Sequence, residues 1–146
     1  MKITFRKDTT LNNDEIEIHA NARTKEIDHL LSQLEKEIKH RKISAKIDDE
    51  IHLLNISDIY TFRIEDRILY AYTNHNRYTV QKKLYEIKEQ TDDSFIQVSK
   101  SEIINSDYIH HLELEKNGII KIYFNNDDFT HSSRRYLKHI KESLNL

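Results

Sequence analysis

The sequence predicts a mainly β protein with short helices, an α+β fold, in which a strand pair and an amphipathic helix precede the β-rich part. Three observations predict it. From residue 43 onward, short runs rich in β-branched and aromatic residues recur between polar clusters. The chain's one glycine stands in Asn117-Gly118, flanked by alternating apolar runs, which is a strong hairpin signal. Helical spacing is sustained only near the two ends.

At the N-terminus, Ile3 and Phe5 alternate with polar residues, as do Ile16, Ile18 and Ala20, and the polar DTTLNND between them suggests two paired strands. Ile27, Leu30, Leu31, Leu34 and Ile38 then follow i, i+3, i+4, i+7, i+11 spacing, which predicts an amphipathic helix. HRK at 40–42 is expected to link residues 1–42 to a domain spanning 43–146. There, ISAKI, EIHLLNI, DIYTFRI, RILYAYT and RYTVQ are expected strands, separated by clusters such as IEDR and TNHNR. KKLYEIKEQ predicts a short helix, FIQVS a strand, and residues 108–132 a hairpin with a type I′ turn at Asn117-Gly118. The last helix has Leu137, Ile140 and Leu144 on one face and Arg134, Lys138 and Lys141 on another, with Ser132 or Ser133 as N-cap.

Composition removes whole classes of function. One glycine cannot form a phosphate-cradling loop, which excludes the P-loop and the dinucleotide fingerprint. The absence of cysteine excludes disulfides, thiolate metal sites and cysteine nucleophiles. MKITFRKDTT lacks the apolar core of a signal peptide, and no apolar run approaches the ~18 residues of a membrane span, so a cytoplasmic protein is expected. His110 and His111 are adjacent in a predicted strand, where side chains alternate between faces, so they are not expected to share a metal. Asp48-Asp49, Asp92-Asp93 and Asp127-Asp128 read as turn residues rather than an acid/base pair. Ser99-Lys100-Ser101 has neither the GxSxG nor the SxxK arrangement of a serine catalyst. No enzyme, cofactor, metal or small-molecule substrate is expected.

What remains is charge placement. The net charge is −2, yet residues 77–88 hold Arg77, Lys82, Lys83 and Lys88 against Glu86, and the last helix holds Arg134, Arg135, Lys138 and Lys141 against Glu142. Lys100 forms a third island. Basic helix faces are commonly no more than solvated surface, so these islands alone do not establish a nucleic-acid site.

Three ordered motifs go further. DIYTFRIEDR, FIQVSKSEIINSDYIHHLE and SSRRYLKHIKESL resemble the corresponding segments of the LytTR-type DNA-binding domain of bacterial transcription regulators, from about residue 43 to the end. The resemblance implies an elongated fold of small packed antiparallel sheets whose loops enter successive major grooves. It implies DNA contacts from the 73–77 loop (Asn74, His75, Asn76, Arg77), from Lys100 and Ser101, and from Ser133, Arg134, Arg135 and Lys138. Lys100 departs from the family, where a histidine-arginine or histidine-asparagine pair often stands. Asn105 is expected to be structural, and Phe95 and Tyr136 to be core. Residues 1–42 are too short for a receiver domain, so a stand-alone regulator of promoter repeats is expected, with a homodimer formed through the N-terminal segment. Such members are often associated with a small membrane protein. The alternative is a LytTR-like interaction module that binds a membrane or regulatory protein without DNA.

Overall fold

The computed structural model describes residues 1–12 and 14–146, and of residues 38–40 the backbone only. Its first regular element is α1 (Lys25–His40). The Thr24 hydroxyl accepts from the Ile27 amide at 3.3 Å, and Glu26 and Asp28 stand in the first turn beside the positive helix end. The strand pair expected before it does not form: no strand occurs among the described residues of 1–24. Ile3 and Phe5 are 96% and 89% exposed, and an isolated two-stranded ribbon is marginal in water. Only Arg41 separates α1 from the next strand, so the expected linker shrinks to one residue.

Seven strands form one antiparallel sheet: β1 (Lys42–Ile47), β2 (Glu50–Asn55), β3 (Ile59–Glu65), β4 (Ile68–Thr73), β5 (Arg77–Thr79), β6 (Phe95–Ser99) and β7 (Glu102–Asn105), in the order β2-β1-β5-β4-β3-β7-β6. A second sheet holds β8 (Ile109–Leu114), β9 (Ile120–Phe124) and β10 (Phe129–His131), in the order β10-β9-β8. Two short helices, α2 (Leu84–Gln90) and α3 (Leu137–Ser143), complete the fold.

Alternation along the strands divides the core in two. Phe62, Leu69, Ala71, Ile103 and Phe95 pack with Leu84 and Ile87 of α2, while Tyr60, Ile96, Val98 and Ile104 pack with Ile120, Ile122 and Phe124 of the second sheet and Ile140 of α3. The large sheet is thus covered by α2 on one face and by the small sheet and α3 on the other. Leu137, Tyr136 and Leu144 pack against the second core, and Phe95 is buried in the first. Asn105 is 1% exposed; its Oδ1 accepts from the Asp107 amide at 3.0 Å and its Nδ2 donates to the Ile59 carbonyl at 3.2 Å, which ties a turn to the start of β3.

Three local expectations are corrected. The β8–β9 turn is not type I′: the Gly118 amide donates to the Glu115 carbonyl at 3.1 Å, the Glu115 amide to the Ile119 carbonyl at 2.9 Å, and only Gly118 (φ +79°) has positive φ. This is a three-residue loop whose left-handed glycine forms a bulge. His110 and His111 do not point apart, because a bulge between Ile109 and His111 interrupts the alternation and brings their Nδ1 atoms to 2.7 Å. No group of three metal-ligating side chains accompanies them among the described residues. Neither serine caps the last helix through its side chain: Ser132 is buried and accepts from the Ile120 amide at 3.0 Å, and a 3₁₀ turn at Arg134–Tyr136 precedes α3. The three aspartate pairs lie in turns and loops, with Asp48 and Asp127 at positive φ.

Candidate nucleic-acid interface

Antiparallel pairing decides which loops share an end of the large sheet. Glu65 pairs with Ile68 across the β3–β4 turn, while Ile59 pairs with Thr73 at the other end of the same two strands. On the other side of β3, Arg63 pairs with Glu102, the first residue of β7, and Ser99 pairs with Glu102 across the Lys100-Ser101 turn. The Lys100-Ser101 turn therefore lies beside the Asp66-Arg67 turn, and the Ile64 amide donates to the Ser101 carbonyl at 2.8 Å. The C-terminal segment joins the same end. The Ser133 amide donates to the Val98 carbonyl at 2.8 Å, and Gln97 Nε2 reaches both the Ser99 carbonyl (3.1 Å) and the Tyr136 hydroxyl (3.4 Å).

This end gathers the expected Lys100, Ser101, Ser133, Arg134, Arg135 and Lys138, and adds Arg67, which the sequence reading passed over. Asp66 and Arg67 have φ of +49° and +68°, the two left-handed positions of a type I′ hairpin, which projects Arg67 from the sheet. Among the described residues, Arg67, Lys100, Arg134 and Arg135 are exposed and make no ion pair or side-chain hydrogen bond. Lys138 stands 3.9 Å from Glu142, a solvent-exposed pair one helical turn apart. Lys82 and Lys83 border a groove with Arg67 over Ile64, Ile68, Leu69 and Leu84, extending the cationic surface towards α2.

The 73–77 loop lies elsewhere. The six steps of β3 at ~3.3 Å per residue place it about 20 Å from the Lys100 end. Its side chains are also engaged locally: Asn74 accepts from Asn126 at 3.2 Å, Asn76 donates to the Tyr78 hydroxyl at 3.3 Å, and Thr73 closes the turn onto Asn76. The Arg77 guanidinium lies over the Tyr70 ring at 4.3 Å, and the Tyr72 hydroxyl beside it holds it above its ordinary pKa. His75 is exposed. The structure thus separates this loop from the other expected contacts.

Behind the cationic end lies a buried polar cluster. Glu102, 5% exposed, accepts from Thr61 (2.7 Å), Arg63 (3.0 Å) and Thr130 (2.5 Å). Arg63 Nη2 reaches Asp128 at 3.6 Å and has no hydrogen-bond partner among the described residues. Burial works against the Arg63 charge, but Glu102 and Asp128 hold its pKa above the ordinary value. Tyr60 donates to Asp128 at 2.9 Å, and its pKa is pushed up to about 12 by burial and by that carboxylate.

Comparison with known proteins agrees with this architecture. The LytTr DNA-binding domain profile matches residues 49–145. A protein of Staphylococcus aureus (strain NCTC 8325), described as an uncharacterized HTH-type transcriptional regulator, is 38% identical over 131 residues, covering 90% of this chain and 89% of its own. The counterpart in strain MRSA252 is 37% identical over the same length and coverage. The solved LytTr DNA-binding domain of a Bacillus cereus protein, described as a methyl-accepting/DNA response regulator, superposes with a TM-score of 0.70 at 19% identity, covering 73% of this chain and 98% of that one. Despite the relatives' label, α2 and α3 here are separated by five strands and form no helix-turn-helix. With the profile spanning β2 to β10 together with α2 and α3, the chain belongs to the LytTr DNA-binding domain family.

Proposed function

We propose that the protein is a sequence-specific, DNA-binding transcriptional regulator that reads paired promoter repeats in the bacterial cytoplasm as a homodimer. The observation that carries the reading is the gathering of Arg67, Lys100, Arg134 and Arg135, exposed and without partners among the described residues, on hairpins and a helix start at one end of the sheet. Arginine suits such a surface, since its planar fork takes guanine O6 and N7 or a phosphate in bidentate fashion. Two tight turns and a helix anchored by Ile140 provide the stiffness that major-groove reading requires. The relatives' description as transcriptional regulators supports the same reading.

Pairing of two copies is assigned to α1. Ile27, Leu30, Leu31 and Leu34 are only half-buried and belong to neither core. Ile27, Leu31, Leu34 and Ile38 alternate four- and three-residue steps, the seam of a two-heptad coiled coil. Linking two such domains turns two weak contacts into one strong one.

Fluorescence anisotropy on promoter fragments over a salt series tests the function. Four cations on phosphates would contribute a slope of about −3 to −4 per domain in log K against log salt, at ~0.9 per contact. Binding to no fragment, or binding indifferent to salt, refutes the reading and favours an interaction module that takes a membrane or regulatory protein instead of DNA.

A further inference from the structure

We propose that Glu102 is a positioning residue that holds the three cationic arms of the candidate DNA face in fixed relation, and this rests on the DNA-binding reading above. Its carboxylate joins three separate segments, each leading directly into one arm. Glu102 itself is the first residue after the Lys100-Ser101 turn. Thr61 and Arg63, at 2.7 and 3.0 Å, lie on β3, which runs into the Asp66-Arg67 turn. Thr130, at 2.5 Å, lies on β10, four residues before Arg134. Oε1 serves the large sheet and Oε2 serves the small one, so a single carboxylate spans the junction between the sheets.

Stability alone does not call for such a group. An apolar residue of similar volume would fill the site without the desolvation of a carboxylate and a guanidinium, and exchanging a buried ion pair for apolar residues is commonly neutral or stabilising. The pair also leaves Arg63 Nη2 without a hydrogen bond among the described residues. What the cluster supplies is direction: hydrogen bonds fix where β10 and β3 sit relative to β7, whereas apolar contacts tolerate sliding. An error of about 1 Å at this junction would misplace Arg67, Lys100 and Arg134 relative to one another, enough to spoil bidentate base contacts while leaving phosphate attraction intact.

The test compares Glu102→Gln with the apolar replacement Arg63→Met/Glu102→Met/Thr130→Val. Glu102→Gln leaves the buried Arg63 with only Asp128, at 3.6 Å, as a countercharge and serves mainly as a stability control. The apolar replacement removes Glu102, Arg63 and Thr130 together, leaving Thr61 its bond to the Ile103 carbonyl at 3.2 Å and Asp128 its bond from Tyr60, and thermal melts establish that it is folded. Expected for it is at least a tenfold fall in the ratio of specific to random DNA affinity, with the salt slope on random DNA unchanged because no arm has lost a charge. A second readout needs no DNA. The chain has no cysteine, so spin labels at Arg67→Cys and Arg135→Cys report their separation by pulsed electron resonance. A narrow distance distribution in the parent and a broadened or shifted one in the apolar replacement is expected. A folded apolar replacement with the parent's distance distribution and affinity ratio overturns the assignment. If the labels report the narrow distribution but the unlabelled parent prefers no DNA sequence, the DNA-binding reading fails while the positioning role of Glu102 is still decided by the labels.

Discussion

Arg67 and Arg77 sit at opposite ends of β4–β5 and make opposite predictions for DNA binding. Arg67→Gly is the informative change, because position 67 has φ +68° and glycine adopts that conformation without the Cβ penalty. Asp-Gly is also a preferred type I′ pair, so the hairpin should be kept or slightly stabilised. Loss of the guanidinium, which has no partner within the described protein, should cost about 1–3 kcal/mol on the preferred site if it reads a base, a factor of about 5 to 150 in affinity. If it holds only a phosphate, affinity should fall on all sequences and the salt slope should drop by about one. Arg77→Ala removes a side chain already laid over Tyr70 at 4.3 Å and should leave the dissociation constant unchanged while slightly lowering the melting temperature. Anisotropy titrations of both variants at two salt concentrations, with urea melts as the folding control, decide the matter. Should Arg77→Ala weaken specific binding while Arg67→Gly does not, the DNA face is the 73–77 end, and the assignment from strand pairing is wrong.

Other outcomes follow from the same structure. On the last helix, Arg135→Ala should narrow the gap between specific and random DNA, while Lys138→Ala should weaken all sequences about equally, read by the same titrations. Leu31→Glu or Leu34→Glu should shift sedimentation from dimer to monomer; a parent that is monomeric at all concentrations and on its repeat ends the dimer proposal. Tyr60, neutral in the fold up to about pH 12, contributes stability present below its ordinary pKa of 10.0 and lost as the pH rises towards 12. After allowance for solvent screening, urea midpoints should reveal about 1–2 kcal/mol lost over that interval, and a smaller loss in Tyr60→Phe. Gly118→Ala, at φ +79° with open space around the new Cβ, should cost about 1 kcal/mol from backbone strain alone, measured by thermal melts.

Periodicity located most of the β-rich domain because one face of each strand there is buried against a definite layer. Phe62 and Ile103 face α2, and Ile96 and Ile104 face the small sheet, so alternation was written into the residues. The same alternation at Ile3, Phe5 and Ile16 misled because those side chains remain largely exposed, and only Ile18 of that set is half-buried. His110-His111 and Asn117-Gly118 misled for another reason: a one-residue bulge and a three-residue loop leave composition unchanged while altering which side chains are neighbours. Lys100, Arg134 and Arg135 could be found from motif and charge. Arg67 could not be told from Arg77 that way, since both are arginines in polar inter-strand clusters. Only the pairing Arg63↔Glu102, a contact between residues far apart in sequence, places one turn beside Lys100 and the other turn at the far end.

The same pairing explains how an acidic chain can present a cationic face. The turns opposite Lys100 carry Asp58 just before β3, Asp92 and Asp93 just before β6, and Asp107 just after β7, so charge is polarised along the strands. Such a dipole turns one end towards DNA during approach and resists encounter through the other, which restrains random binding without removing any contact. Asp58→Asn/Asp93→Asn/Asp107→Asn moves the formal net charge from −2 to +1 (−2 + 3), with Asp92 left to accept from the Ser94 amide at 2.9 Å. Random DNA should then bind more tightly and more of it through the wrong end, so the ratio of specific to random affinity falls at low salt and recovers once screening shortens the reach of these charges to about 8 Å at 0.15 M. Asp14→Asn/Glu15→Gln/Glu17→Gln makes the same change in net charge within the N-terminal segment. If both triple variants alter the ratio equally, net charge alone governs binding and the polarity of the sheet has no part in it.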